Sequence, residues 1–137
     1  MAKGNTQKAH PDDILIAISH YLPQERRCFR YGADELNTFL YEQKQQHPQL
    51  MSSLSFNTNG MFPSCEDVYQ AVSNLFASGL IVVASHKPYD YHFSPETEGS
   101  FDKFVSKRLS EQQLSELEEI AREFNKKIAI DSSLQFN

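Results

Sequence analysis

Arg26, Arg27, Cys28 and Arg30 stand together in QERRCFRYG, and His86 and His92 flank the segment KPYDY. These residues have the types and spacing that lend themselves to chemistry. Clustered guanidinium groups suit an anion, either a phosphate or an acidic surface on a partner, and arginine beside an aromatic is common at interface hot spots. The alternative is a solvated link in which Phe29 turns inward and the arginines project into water, where each contributes little to stability. Cys28 between arginines has the setting of a lowered thiol pKa, with His20 a conceivable base through space. His86 and His92 could face each other across a hairpin as two metal ligands. A metal site needs three or four, and Asp90 is the only carboxylate in that turn, so a solvated hairpin is expected. His20 and His47 close helices, where an imidazolium suits the dipole.

The sequence has no G-x-S-x-G, no glycine-rich phosphate loop and no H-E-x-x-H. Nothing supplies nucleophile, base and orienting group together, so neither an enzyme nor a cofactor is expected.

Those residues must be held by elements that periodicity predicts. The first ten residues are polar and read as loose. Pro11-Asp12-Asp13 opens a helix with Ile14, Leu15, Ile18, Tyr21 and Leu22 on one face, ended by Pro23. RCFRYG reads as a short strand or extended link. Asp34 to Gln46 is a second helix with Leu36, Phe39 and Leu40 inward, stopped by His47-Pro48. In LMSSLSFNTNGMFPS the pair Asn59-Gly60 suits a tight turn, so a small hairpin or ordered loop is expected. Ser64 with Asp67 resembles a capping box for a third helix, whose stripe is Val68, Val72, Leu75 and Phe76 and whose stop is Gly79. LIVVAS and YHFS are strands around the turn HKPYD. Phe101, Phe104, Val105 and Leu109 suggest a short helix. Ser110 with Gln113 caps a last one running to about Ile128, and the tail AIDSSLQFN reads as an edge strand or a loose end.

Composition bounds the rest. A chain of 137 residues with 39% hydrophobic and 12% aromatic content is one domain's worth, with residues 11–96 as its core and 97–137 as a helical extension. No apolar run approaches a membrane span, and the N-terminus lacks a signal peptide's apolar core, so a cytoplasmic protein is expected. Two cysteines, Cys28 and Cys65, fit reduced thiols there. A net charge of −5 argues against broad attraction to nucleic acid.

The order helix, strand, helix, helix, hairpin, helix resembles a winged-helix domain. The likeness is carried by VYQAVSNLFASGLIVVASHKPYDYHFSPE, residues 68–96, where LFASGLI leads into a two-stranded wing and YHFSPE leads out. It is similar to bacterial regulators of the MarR and PadR type, which implies an α+β fold, a wing, and flanking helices that build a dimer. Two features depart from a DNA reader. A turn of three or four residues normally joins the two helices, whereas residues 51–63 intervene here. The third helix, residues 64–78, has no Lys or Arg and begins with Glu66 and Asp67, although phosphate contacts supply much of the affinity and arginine to guanine is the commonest base contact. Its expected outer face includes Glu66, Gln70, Ser73 and Asn74.

The sequence therefore leads to a non-enzymatic winged-helix-like module that binds a protein partner, with a dimeric DNA-binding regulator as the alternative and duplex DNA bound weakly. Arg26, Arg27, Arg30 and Lys87 are the expected partner or phosphate contacts. Leu114, Leu117, Ile120 and Phe124, on one stripe of the last helix, are the expected homodimer contacts.

Overall fold

Pro11 sets the backbone for the first turn of α1 (Pro11–Tyr21), and Leu22, held extended by Pro23, ends it. A 3-10 turn at Gln24–Arg26 leads to β1 (Cys28–Arg30). The computed structural model describes residues 8–30, 35–84 and 87–130. Over those residues the order continues with α2 (Glu35–Gln46), α3 (Glu66–Ala77), β2 (Ile81–Ala84), β3 (Lys87–Phe93), α4 (Glu96–Ser100), a π-helical stretch Phe101–Val105, α5 (Ser106–Arg108) and α6 (Glu111–Lys127). The fold is α+β, with one antiparallel sheet in the order β1-β3-β2.

Register divides the sheet into two faces. Phe29 lies opposite Tyr91, and Ile81 opposite Phe93; these side chains share the face that meets the helices. Cys28 opposite His92, Arg30 opposite Asp90, and Val82 lie on the other. On the helix side, Phe29 packs against Phe93 and Phe124 with ring centroids 5.4 and 6.0 Å apart, and Phe39 meets Phe124 edge-on at 5.6 Å.

α1 runs through the middle. Every residue from Asp13 to Ser19 is buried, because α6 and α3 cover parts of its surface and residues 96–105 cover another. A helix apolar all round belongs inside. The stripe expected on α1 is therefore too narrow: Ile16 and Ala17 are buried as well, while Tyr21 is only partly so. The two polar members have partners. Ser19 Oγ lies 3.2 Å from Thr97 Oγ1, and Asp13 takes two hydrogen bonds from Arg108, at 2.9 and 2.7 Å.

Several expected boundaries shift. Ala9 is buried and its carbonyl accepts from Ser53 Oγ, so the end of the segment expected to be loose is held; residues 1–7 lie outside the described residues. Ser64 does not cap α3: it pairs through its backbone with Asn57, Cys65 takes the N-cap position, and Asp67 accepts from the Ser55 amide at 3.0 Å. That single bridge, with Leu50, Met51 and Leu54 buried, makes residues 47–65 an ordered loop rather than a hairpin. Gly79 ends α3 with φ +81°, as its position required. The returning strand starts earlier than expected, at Lys87, inside the segment expected to turn; residues 85–86 lie outside the described residues. The Ser110–Gln113 capping box forms as expected. Ala129 bridges Phe29 and the Ile130 amide donates to the Cys28 carbonyl, so the start of the tail lies along the β1 edge; residues 131–137 lie outside the described residues.

The expected dimer stripe is the largest revision. Leu117, Ile120 and Phe124 are fully buried, and Leu114 partly, against this chain's own core. Their packing against α1, Phe29 and Phe39 already satisfies the face that suggested a second subunit. One hydrophobic cluster runs from Ala9 to Ala129, so the division at residue 96 is one of chain order and not of packing. No helix among the described residues is long and apolar enough to cross a membrane.

Candidate protein-docking surface

Arg26, Arg27 and Arg30 do not form one exposed cluster. Arg26 reaches the end of α6, donating from Nε to Asn125 Oδ1 and from Nη2 to the Asn125 and Ala129 carbonyls, each at 2.9 Å. Arg27, its side chain only 14% exposed, donates to the Leu22 and His20 carbonyls at 3.1 Å and places Nη2 2.9 Å from Glu98 Oε2. That last contact lacks hydrogen-bond alignment and acts as an ion pair. Arg30 is largely exposed but holds the buried Asp90 at 3.2 Å. The three guanidinium groups satisfy carbonyls and carboxylates of this chain, which a short sequence run cannot reveal. The side chain of Lys87 lies outside what the structure describes.

The histidines go elsewhere than the sequence suggested. His20 stacks on Phe101 at 3.7 Å and bonds Glu98 at 3.0 Å, away from Cys28. His47 Nδ1 lies 2.7 Å from Glu116. Strand register instead puts His92 Nε2 3.7 Å from Cys28 Sγ, while His86 lies outside the described residues. This buried pair is not a thiolate–imidazolium couple. Burial pushes the Cys28 thiol up to about 12, with Asp90 adding to the effect, and burial lowers the His92 pKa. Of the arginines that suggested a lowered thiol pKa, Arg30 does pull it down, and desolvation outweighs it. Cys28 should therefore resist iodoacetamide in the folded protein at pH 8 and react only on unfolding. Rapid native-state labelling, located by peptide mass, would show instead that the thiol is accessible and ionisable.

α3 presents the open surface. Val68, Ala71, Val72 and Leu75 are buried. Phe76, expected inward, is 53% exposed, and Tyr69 is 56% exposed. Ala71 at i+3 from Val68 completes the inner face and leaves Phe76 at its edge; that spacing was available in the sequence. On a helical wheel Tyr69 and Phe76 form one flank, while Glu66, Gln70, Ser73 and Ala77 form the centre of the outer face. Glu66, Gln70 and Asn74 are exposed and Ser73 is half-buried.

The other flank of α3 meets the start of α1. Asn74 Nδ2 donates to Asp12 Oδ2 at 3.4 Å, and Gln70 donates to Asn74 at 3.0 Å. A cleft of about 430 Å³ opens there, lined by His10, Asp12, Asp67, Gln70, Asn74 and Arg108 among others. Burial raises the Asp12 pKa, the Asn74 hydrogen bond opposes this, and nearby Asp13 adds to it. Arg108 is already engaged by Asp13, so the cleft presents acidic and amide groups on the flank of α3 opposite the two aromatics. Comparison with protein-family models, with curated proteins and with solved structures finds no match to this chain.

Proposed function

We propose that this protein is a non-enzymatic, winged-helix-like interaction module that docks a protein partner on the outer face of α3. The single observation that carries this reading is that face: two exposed aromatics, Tyr69 and Phe76, along one flank, with Gln70 and Ser73 at its centre and Asn74 on the far flank, on a helix without Lys or Arg. Aromatic residues mark interface cores, and amides and hydroxyls adapt to a polar rim. The acidic start of α3, Glu66 and Asp67, with Asp12 of α1 nearby, calls for a partner surface that combines apolar pockets with Lys or Arg.

The sheet order β1-β3-β2, with α3 feeding the β2–β3 hairpin, favours a second reading, a duplex-DNA regulator. Its difficulty is electrostatic. Each neutralised phosphate contributes a slope of about −0.9 in log affinity against log salt, and α3 brings no cation to the backbone. Fluorescence anisotropy with random duplex DNA should give weak binding and a slope shallower than about −5. A steeper slope with submicromolar affinity would overturn the protein-docking reading. Tyr69→Ser with Phe76→Ser should leave stability within about 1 kcal/mol, since both side chains are exposed. It should remove partner binding; unchanged binding to an identified partner would move the interface off α3.

A further inference from the structure

A groove of about 420 Å³ lies between α2 and the end of α6, with Phe39 and Ile128 in its floor and Phe62, 50% exposed, at its lip. Glu35 and Glu42 stand on its α2 wall, two turns and roughly 10 Å apart along the helix. Neither has an ion pair among the described residues, while Lys127 on the other wall lies 3.7 Å from Glu123. The groove is thus apolar inside and negatively charged on one rim.

Elsewhere the surface carries the complementary shape and charge. Phe104, on the π-helical stretch, is 52% exposed. Lys103 and Lys107 flank it, exposed and without an ion pair among the described residues, and the Arg108 guanidinium lies 5.7 Å from its ring. An apolar knob flanked by those two lysines, with Arg108 already held by Asp13 and Asp102 exposed beside Lys103, fits an apolar groove rimmed by carboxylates, the long lysine stems spanning the distance to Glu35 and Glu42.

We propose that the groove receives the Phe104 knob of a second copy of this chain, giving head-to-tail association. Knob and groove share no residue, so a single contact leaves each copy with one free end and the association continues head-to-tail. A two-fold dimer would instead require both contacts to form reciprocally between the same two copies, and a mass plateau at twice the monomer would show that. The groove is distinct from the α3 face and from the α6 stripe, while the Phe104 knob adjoins the Asn74 flank of α3; the inference does not depend on the proposed partner.

The test is sedimentation equilibrium from low to high micromolar protein, at low and high salt. The average mass should rise above 15.7 kDa with concentration, without a plateau at twice that value, and fall back as salt screens the charges. Phe104→Ser should weaken association roughly tenfold or more, and Glu35→Lys with Glu42→Lys should do the same, both with unchanged melting temperature. The two variants mixed should then form a capped heterodimer, because one retains a knob and the other a groove. A wild type of constant mass would overturn the proposal, leaving the groove for another occupant. Association that persists in either variant, or a mixture of folded variants without heterodimer, would overturn it as well.

Discussion

Phe124→Ala should cost about 3–5 kcal/mol of stability, and the loss should not depend on protein concentration. The ring is fully buried, packs edge-on against Phe29 and Phe39, and joins α6 to both the sheet and α2. Its removal leaves a cavity bounded by three elements that cannot all close on it. The melting temperature should fall by roughly 10–20 °C for a domain of this size. If α6 instead formed a subunit interface, stability would track concentration by mass action. Chemical denaturation at several low micromolar concentrations distinguishes the two. A concentration-dependent midpoint, or a loss below about 1 kcal/mol, would show that Phe124 is not a core residue of the single chain.

The second large effect reverses a reading that sequence alone encourages. Replacing Arg26 and Arg27 by alanine should cost about 2–3 kcal/mol each, although neighbouring arginines in a polar run ordinarily look dispensable. Each makes two or three charge-assisted contacts with carbonyls or acceptors from distant segments: Arg26 with Asn125 and Ala129, Arg27 with His20, Leu22 and Glu98. Their acceptors do not overlap, but the two residues are adjacent in the chain, so the double variant should depart from the sum of the single losses by about 0.5 kcal/mol or more. Lysine should rescue poorly, because one ammonium cannot reproduce the planar fork. An unfolding midpoint equal to wild type in the double variant would return these arginines to the solvent and revive them as an anion contact. The result also bears on function, since guanidinium groups engaged within the fold are not free to meet phosphate.

Local patterns determined much of this protein without tertiary help. Pro11 and Pro23 bound α1, Ser110 and Gln113 start α6 with a reciprocal cap, and Gly79 stops α3 because only glycine takes a positive φ without strain. These signals act within one turn of the chain, so the residues that cause them are adjacent in sequence. The apolar stripes were also legible: Val68, Val72 and Leu75 on α3, and Leu117, Ile120 and Phe124 on α6, are all buried. The absence of Lys and Arg from α3, which carries the functional proposal, required nothing beyond reading the residues.

What covers a stripe is a different matter, and only the tertiary structure decided it. Periodicity states that a face of α6 must leave water; it does not say whether α1 or another molecule covers it, because burial in either place satisfies the same hydrophobic driving force. The burial of α1 from Asp13 to Ser19 depends on residues 96–124 returning over it, and the place of Phe76 at the boundary depends on which neighbours approach α3. Polar groups are still less local. The partners of Arg26 and Arg27 include groups about 70 to 100 residues away, and Cys28 meets His92 rather than His20 because strand register sets them opposite one another. A guanidinium or a thiol needs a partner of the right chemistry within about 3 to 4 Å. Chain topology chooses that partner, so residues that looked like a site became fastenings of the fold, and the exposed aromatic face of α3 is the surface proposed for recognition.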